Sequence, residues 1–349
     1  MRPDLYQGGT PEGWYAVGIS RDLRRGEATA SELGGAPVVV WRDAAGEVAA
    51  MDRYCSHRGA DLSHGKAEGD ALECPYHRWR FARDGRCVAG AGDGARMPAR
   101  AHLRSYPVVE RAGLLLACTQ PDVGYTPPVL PGVEAARFHR PLVRRYTHDC
   151  HPLVILEDNM DVLHMEYVHG LQCHDMKLEI VEDTDDCFRF LTTYELDLLG
   201  RRRRAATETA IYGGTLAYGG SRVEGILSAL FVGSPAPRNE GGVDFYFSTC
   251  IEKARGAWAG IHPLVANLAS RMIHHGSAVF DGRIWSPQRP ELGRVGMGGE
   301  EVNSAFHRHY ARQMERSALA APAARPSASG SPRGVAPIRL DAPPASSYA

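Results

Sequence analysis

Two short Cys/His segments restrict this chain more than anything else in it. Cys55-Ser-His57 is followed by sixteen residues and then by Cys74-Pro-Tyr-His77. Two soft thiolates and two imidazoles at this spacing can hold an iron–sulfur cluster or a structural zinc. The chain has 8 Cys and 15 His in 349 residues, and chance alone would give this pattern in only ~0.03% of such chains. Buried cysteines and ordinary histidines are therefore a poor account of it. Each pair reads Cys-then-His, so each hairpin supplies one sulfur and one nitrogen.

A Rieske [2Fe–2S] centre needs that division, with two Cys on one iron and two His on the other. Cys55-Ser-His-Arg-Gly59 and Cys74-Pro-Tyr-His-Arg-Trp79 resemble the two cluster-binding loops of Rieske proteins. The Rieske proteins of respiratory complexes carry an extra Cys in each loop. Ala60 and Tyr76 stand in those places here, so the resemblance is to the oxygenase branch. It implies that Cys55, His57, Cys74 and His77 bind the cluster. Gly59 suits a tight turn, and Arg58 reads equally as a neighbour of the cluster or as a solvated surface residue.

A cluster moves one electron and does no chemistry on carbon, so a second metal is the next question. Asp161, His164 and His169 stand out in the segment from Leu156 to His169. The pattern Asp-x-x-His-x-x-x-x-His resembles the segment that gives Rieske non-haem iron oxygenases two of three ligands to a mononuclear iron. A 2-His-1-carboxylate triad leaves coordination positions open for oxygen. On an ideal helix His164 and His169 would be about 140° apart, so a shared metal requires a distorted or interrupted helix. By resemblance the third ligand is Asp281, four residues before Trp285, on a late helix. Asp161 is then the bridging residue, hydrogen-bonded to His164 and to a cluster histidine of a neighbouring subunit. That geometry implies a head-to-tail homotrimer. Relatives often carry Asn three residues before the bridging Asp; here that place is Asp158, and Asn159 follows.

Composition excludes several other classes. Lys+Arg is 40 against Asp+Glu 41, a net charge of −1, which gives no electrostatic reason to expect nucleic acid or an anionic membrane as partner. Apolar residues are 44% and charged residues 23%, as in soluble proteins with a real core. No apolar run approaches the ~20 residues of a membrane span. Met1 to Trp14 is polar and rich in Gly and Pro, without an apolar signal core. Eight Cys are too sparse for a disulfide scaffold. The expected location is the cytoplasm.

The first third reads as short strands: Trp14 to Gly18, Pro37 to Trp41, Val48 to Met51 and Gly113 to Cys118, separated by turn residues. Proline-rich sequence from Pro121 to Pro131 places a domain boundary. A helix-like stretch runs from Leu153 to His169. Phe188 to Leu196 and Gly242 to Cys250 read as antiparallel strands. Leu264, Leu268, Met272, Val279 and Ile284 suit a long helix over Pro263 to Ile284, and Glu300 to Arg316 reads as another. The expected division is a Rieske domain over 1–125, a catalytic mononuclear iron domain over 130–316 and a disordered tail over 317–349. The expected fold class is α+β. Resemblance makes it an N-terminal Rieske β-sandwich followed by a helix-grip (START-like) domain, with the iron and an apolar pocket between sheet and long helix.

Other features are set aside. Arg201 to Arg204 reads as a solvated hairpin tip, and His274-His275 as structural. His151, His174, Cys87, Cys118, Cys150, Cys173, Cys187 and Cys250 follow no ligand spacing. No Gly-x-Gly-x-x-Gly follows a strand, so NAD(P)H serves only indirectly, through a separate reductase or ferredoxin. The resemblance implies an enzyme that oxidises a hydrophobic ring-containing compound with O2, hydroxylation being favoured over demethylation, desaturation, ring closure or amine oxidation. Pocket residues are expected on strands from about 188 to 250. Two rival classes are a Rieske electron carrier with a ligand-binding domain, which has no use for Asp161, His164, His169 and Asp281, and a colourless zinc-stabilised binding module.

Overall fold

The computed structural model describes residues 2–90, 97–129, 137–161, 163–198, 200–254, 260–293 and 301–320. Its first third is β1 (Trp14–Ile19), β2 (Ala28–Leu33), β3 (Ala36–Arg42), β4 (Val48–Asp52), β5 (Lys66–Glu68), β6 (Ala71–Glu73), β7 (Arg80–Ala82), β8 (Cys87–Ala89), β9 (Ser105–Tyr106), β10 (Val108–Arg111) and β11 (Leu114–Cys118). They form three sheets, of strand order β1-β11-β10, β2-β3-β4-β9 and β5-β6-β7-β8. The four expected strands are β1, β3, β4 and β11. The β5–β8 sheet is made of three-residue strands, too short to leave an alternating pattern, yet it carries one of the two Cys/His loops between β6 and β7.

The second part is one antiparallel sheet built from β12 (Leu142–His148), β13 (Cys173–Asp183), β14 (Cys187–Leu198), β15 (Arg201–Tyr212), β16 (Leu216–Val223), β17 (Leu227–Pro237) and β18 (Val243–Ile251), in the order β12-β18-β17-β16-β15-β14-β13. Arg201 to Arg204 stand at the tip of the β14–β15 hairpin, as expected, paired with Glu195 to Leu198 and largely exposed, with Arg202 3.8 Å from Glu195 and 3.4 Å from Asp197. The helices are α1 (Pro152–Asp158), α2 (His164–Tyr167), α3 (His262–His274), α4 (Gly282–Trp285) and α5 (Glu301–Ala320), with a π-helical turn over His275–Phe280 joining α3 to α4. The last helix runs past Arg316 into the segment expected to be a disordered tail; 321–349 lie outside the described residues.

Both faces of the large sheet are covered. Phe188, Ile211, Ala217 and Phe247 pack against Leu153, Leu156, Trp285, Phe306 and Tyr310 of the helices. On the opposite face Tyr212, Tyr218, Val232 and Tyr246 pack against Trp14, Ala16, Leu114 and Leu116 of the N-terminal sheet. A strand buried on both sides has no polar face to display, so β17 and β18 read as nearly unbroken apolar runs. The apolar stripe of α3 does not face this core. Leu264, Val265, Leu268 and Met272 are exposed, while Ala266, Ser270 and His274 are buried beneath them.

Two buried serines tie the parts together. Ala16 N–H donates to Ser234 Oγ at 2.9 Å, and Ser248 Oγ donates to the Ala112 carbonyl at 2.6 Å. The first bond falls where the β1–β11 register shifts, between Ala16 and Gly18. Ser234→Ala strands a buried backbone N–H and should cost about 1–3 kcal/mol. Denaturant titration should show both parts losing stability in one transition; a loss confined to the second would contradict the shared core.

Candidate metal centres

The two Cys/His loops share one backbone design. Cys55 N–H donates to the Ala60 carbonyl at 2.9 Å and Cys74 N–H to the Trp79 carbonyl at 2.7 Å. Each Cys carbonyl accepts from the residue four places on, Gly59 at 2.8 Å and Arg78 at 3.1 Å. Both those residues are left-handed, with φ of 68° at Gly59 and 55° at Arg78. Glycine adopts this at no steric cost; Arg78 does so against its preference. Arg53 braces the first loop through Asp61 at 2.5 Å.

This geometry sorts the donors by burial. Cys55 and Cys74 are buried, His57 is exposed and His77 half-exposed. Burial pushes the Cys55 thiol up to about 11, with Cys74 beside it adding to the shift. The His57 and His77 rings are 4.8 Å apart, and His57 stacks flat on Trp79 at 4.4 Å. Paired inner thiols and paired outer imidazoles fit a two-iron cluster. Arg58 is exposed. Trp79 was legible only as part of the loop motif, not as the platform for His57.

The second group assembles around a broken helix. The single helix expected over Leu153 to His169 stops at Asp158, where Asn159 Nδ2 donates to the carbonyls of Ile155 at 3.0 Å and Leu156 at 3.2 Å. The chain restarts at His164. Asp161 Oδ1 accepts from the N–H of Leu163 at 3.0 Å and of His164 at 3.3 Å, as an N-terminal cap does. His169 lies just beyond α2, followed by Gly170 with φ of 65°. The end of α2 solves the 140° problem: His169 N–H donates to the His164 carbonyl five residues back at 3.3 Å, and the two rings meet at 5.1 Å, nearly perpendicular.

Asp281 reaches them from the far end of the π-helical turn, and one donor atom each of His164, His169 and Asp281 lie within 4.8 Å of one another. A π turn re-aims the residues that follow it. Asp281 is 3% exposed; its Oδ1 accepts no hydrogen bond and faces His169 Nε2 at 3.2 Å. His164 Nδ1–H donates to the Asp161 carbonyl, leaving Nε2 as the lone-pair nitrogen, 3.8 Å from Asp158 Oδ2. An unpartnered buried carboxylate oxygen facing two imidazoles fits a divalent cation. The Asp161 side chain is spent on backbone N–H groups, and only its carbonyl touches the His164 ring. Asp158, whose carboxylate faces His164, was noted in sequence only as a departure from the usual Asn.

The cavity beside this trio measures about 960 Å³. Met165, Val168, Leu171 and Phe280 make part of its wall, and residues of β14 to β18, from Thr192 to Thr249, make its floor, within the span expected from sequence. Of the pair set aside as structural, His274 is buried: its Nε2–H donates to the Leu142 carbonyl at 3.2 Å and its Nδ1 accepts from Tyr146 O–H at 3.0 Å. Its neighbour His275 lines the cavity. His151 caps α1, accepting from Leu153 N–H at 3.2 Å, and His174 pairs with Asp197 at 3.0 Å.

Burial and the nearby Asp158 carboxylate push Asp281 up to about 7. The unfolded chain ionises this group at its ordinary value, 3.8, so raising the pH between those values favours unfolding. The chelated protein should therefore gain stability on acidification from about pH 8 to about pH 5. Asp281→Asn should flatten that slope in thermal melts, and an unchanged slope would contradict the assignment.

A Rieske [2Fe–2S] domain model matches residues 13–107. The oxygenase component of 3-ketosteroid-9-alpha-monooxygenase from Rhodococcus rhodochrous is 33% identical over 166 residues, 45% of this chain and 42% of that protein. The Mycobacterium tuberculosis protein of the same name is 34% identical over 170 residues, again 45% and 42%. The chain thus matches less than half the length of these curated relatives. Among solved structures, dicamba monooxygenase bound to 3,6-dichlorosalicylic acid superposes with a TM-score of 0.72 at 19% identity, covering 88% of this chain and 98% of that one. Pseudomonas putida NdmA, in a mutant form with theobromine, gives 0.65 at 16% identity, covering 84% and 88%. Residues 13–107 are therefore a Rieske [2Fe–2S] domain, and the chain as a whole shares its fold with dicamba monooxygenase and NdmA.

Proposed function

We propose that this chain is the oxygenase component of a Rieske-type monooxygenase that hydroxylates an apolar, ring-containing small molecule. One observation carries the reading: a Rieske domain shares the chain with two half-buried histidines and a buried carboxylate that open on a largely apolar cavity of about 960 Å³. An electron carrier has no need of that second group. In this reading the Rieske domain spans 1–125 and the catalytic domain 130–316. Cys55, His57, Cys74 and His77 hold the [2Fe–2S] cluster, while His164, His169 and Asp281 hold ferrous iron. Bound there, the cluster supplies single electrons and the iron supplies activation of O2.

The chain's own residues do the rest. The Asp161 carbonyl fixes the His164 tautomer so that Nε2 faces the metal. Asp281 would offer its unpartnered Oδ1 to the cation and, ionised, neutralise part of its charge. Apolar side chains keep bulk water from the site and hold the ring system beside it. The relatives act, by their names, on ketosteroids and dicamba, which supports a ring-containing substrate. Their description as an oxygenase component supports a separate ferredoxin or reductase, fed by NAD(P)H.

Asp161 is exposed; in this reading its carbonyl, not the carboxylate expected from resemblance, holds His164, and its carboxylate reaches a cluster histidine of a neighbouring copy within a homotrimer. The exposed stripe of Leu264, Leu268 and Met272 is apolar surface that a second copy can cover. Among the described residues no helix is long and apolar enough to cross a membrane; a cytoplasmic location accords with free cysteines.

Asp161→Asn should keep iron and sulfide content while slowing reoxidation of the pre-reduced cluster by O2, in the presence of substrate, by about 10- to 100-fold. Stopped-flow absorbance reads this directly. An unchanged rate would remove Asp161 from the electron path, and the absence of any oxidised ring compound from wild-type protein would sink the oxygenase reading.

A further inference from the structure

Asp158 stands beside the metal donors without belonging to the trio that gathers there. It is the last residue of α1, and Ile155, three residues earlier on the same helix face, lines the cavity with it. Leu153 and Leu156 turn instead into the core. The Asp158 side chain is 23% exposed and, as a lining residue, is exposed to the cavity, so its charge is felt by whatever occupies that space.

Its approach to His164 is not a hydrogen bond. Asp158 Oδ2 is 3.8 Å from His164 Nε2, beyond hydrogen-bond range. His164 keeps its proton on Nδ1, which donates to the Asp161 carbonyl, so a lone pair on Nε2 faces the carboxylate. Two such groups are brought together favourably only by a positive charge beside them. The other side of the trio repeats the arrangement, with Asp281 Oδ1 facing His169 Nε2 at 3.2 Å. Each histidine thus has a carboxylate of its own, two negative charges in all. Asp161 adds a third carboxylate, but it is exposed and holds the N–H groups of Leu163 and His164, where solvent screens it.

We propose that Asp158 is the charge-balancing carboxylate of the metal site: together with Asp281 it cancels the charge of a divalent cation, tightening the hold on that cation and removing its attraction for anions. The inference rests on reading His164, His169 and Asp281 as the ligands. Asp158 acts on the cation through space, outside the ligand set. Asn, which relatives often carry at this place, has the shape without the charge. The substrate class narrows accordingly, to compounds uncharged at the end that meets the metal donors. A carboxylate or phenolate there gains nothing where the charges already cancel.

The test is binding rather than turnover, with cobalt(II) and azide as probes. Full-length protein, its cluster intact and oxidised, is stripped of mononuclear iron by chelation and dialysed to equilibrium against cobalt(II). The His164→Ala/His169→Ala double variant gives the background. Asp158→Asn should weaken cobalt binding about 10- to 100-fold. Azide, followed through the cobalt EPR signal, should bind that variant about 10-fold more tightly than wild type. Asp158→Glu keeps the charge and should return both affinities to within about three-fold of wild type. Unweakened cobalt binding in Asp158→Asn, an equal loss in the Asn and Glu variants, or an azide affinity that does not move overturns the charge-balancing role and leaves the ligand assignment standing. A wild-type chain that takes up no more cobalt than the double variant removes the metal site itself.

Discussion

A buried carboxylate oxygen that faces two imidazoles and accepts no hydrogen bond is the least comfortable arrangement in this protein, and much of the chain is organised to hold it. Asp281 Oδ1 and His169 Nε2 face each other at 3.2 Å in a site the solvent barely reaches. Such a group either takes up a proton or receives a cation. Two irregularities bring it about, the break between α1 and α2 and the π turn ahead of Asp281. Each replaces regular helix, at a cost in backbone hydrogen bonds, where regular helix would have separated the donors.

The large sheet allows those irregularities. Its helical face supplies the apolar packing that fixes α1 and α4, through Phe188, Phe245 and Trp285. Its other face is closed by the Rieske domain. The N-terminal part keeps a second cluster of its own around Val39, Trp41, Met51, Leu72 and Phe81, while the sheet serves both as structural wall and as cavity floor. Odd-numbered positions of β18, from Phe245 to Thr249, point to the cavity, while Tyr246 and Cys250 belong to the core shared with the N-terminal sheet.

What could be read in the sequence follows from which contacts are local. The Cys/His loops are short and closed by their own backbone bonds, so their chemistry lies in the order of residues. The mismatch between 3.6-residue periodicity and the five-residue gap from His164 to His169 required an interrupted helix, and α2 does end at Tyr167, before His169. Asp281 was reached through resemblance, since nothing nearby in sequence shows what it faces. The orientation of α3 was not legible, because an apolar stripe suits any partner and here Leu264 and Leu268 face outward. Nor were Trp79 under His57 and Asp158 beside His164. Those depend on strand register and tertiary approach, which a periodicity does not record.

The central claim is that one chain holds both a two-iron cluster and a separate mononuclear iron. It is tested most directly by iron and acid-labile sulfide per chain, on protein purified without oxygen and resupplied with ferrous iron. The account predicts about three irons and two sulfides, falling to about two irons with unchanged sulfide in the His164→Ala/His169→Ala double variant. Two irons in the wild-type chain, or a third iron that survives the double substitution, would contradict it.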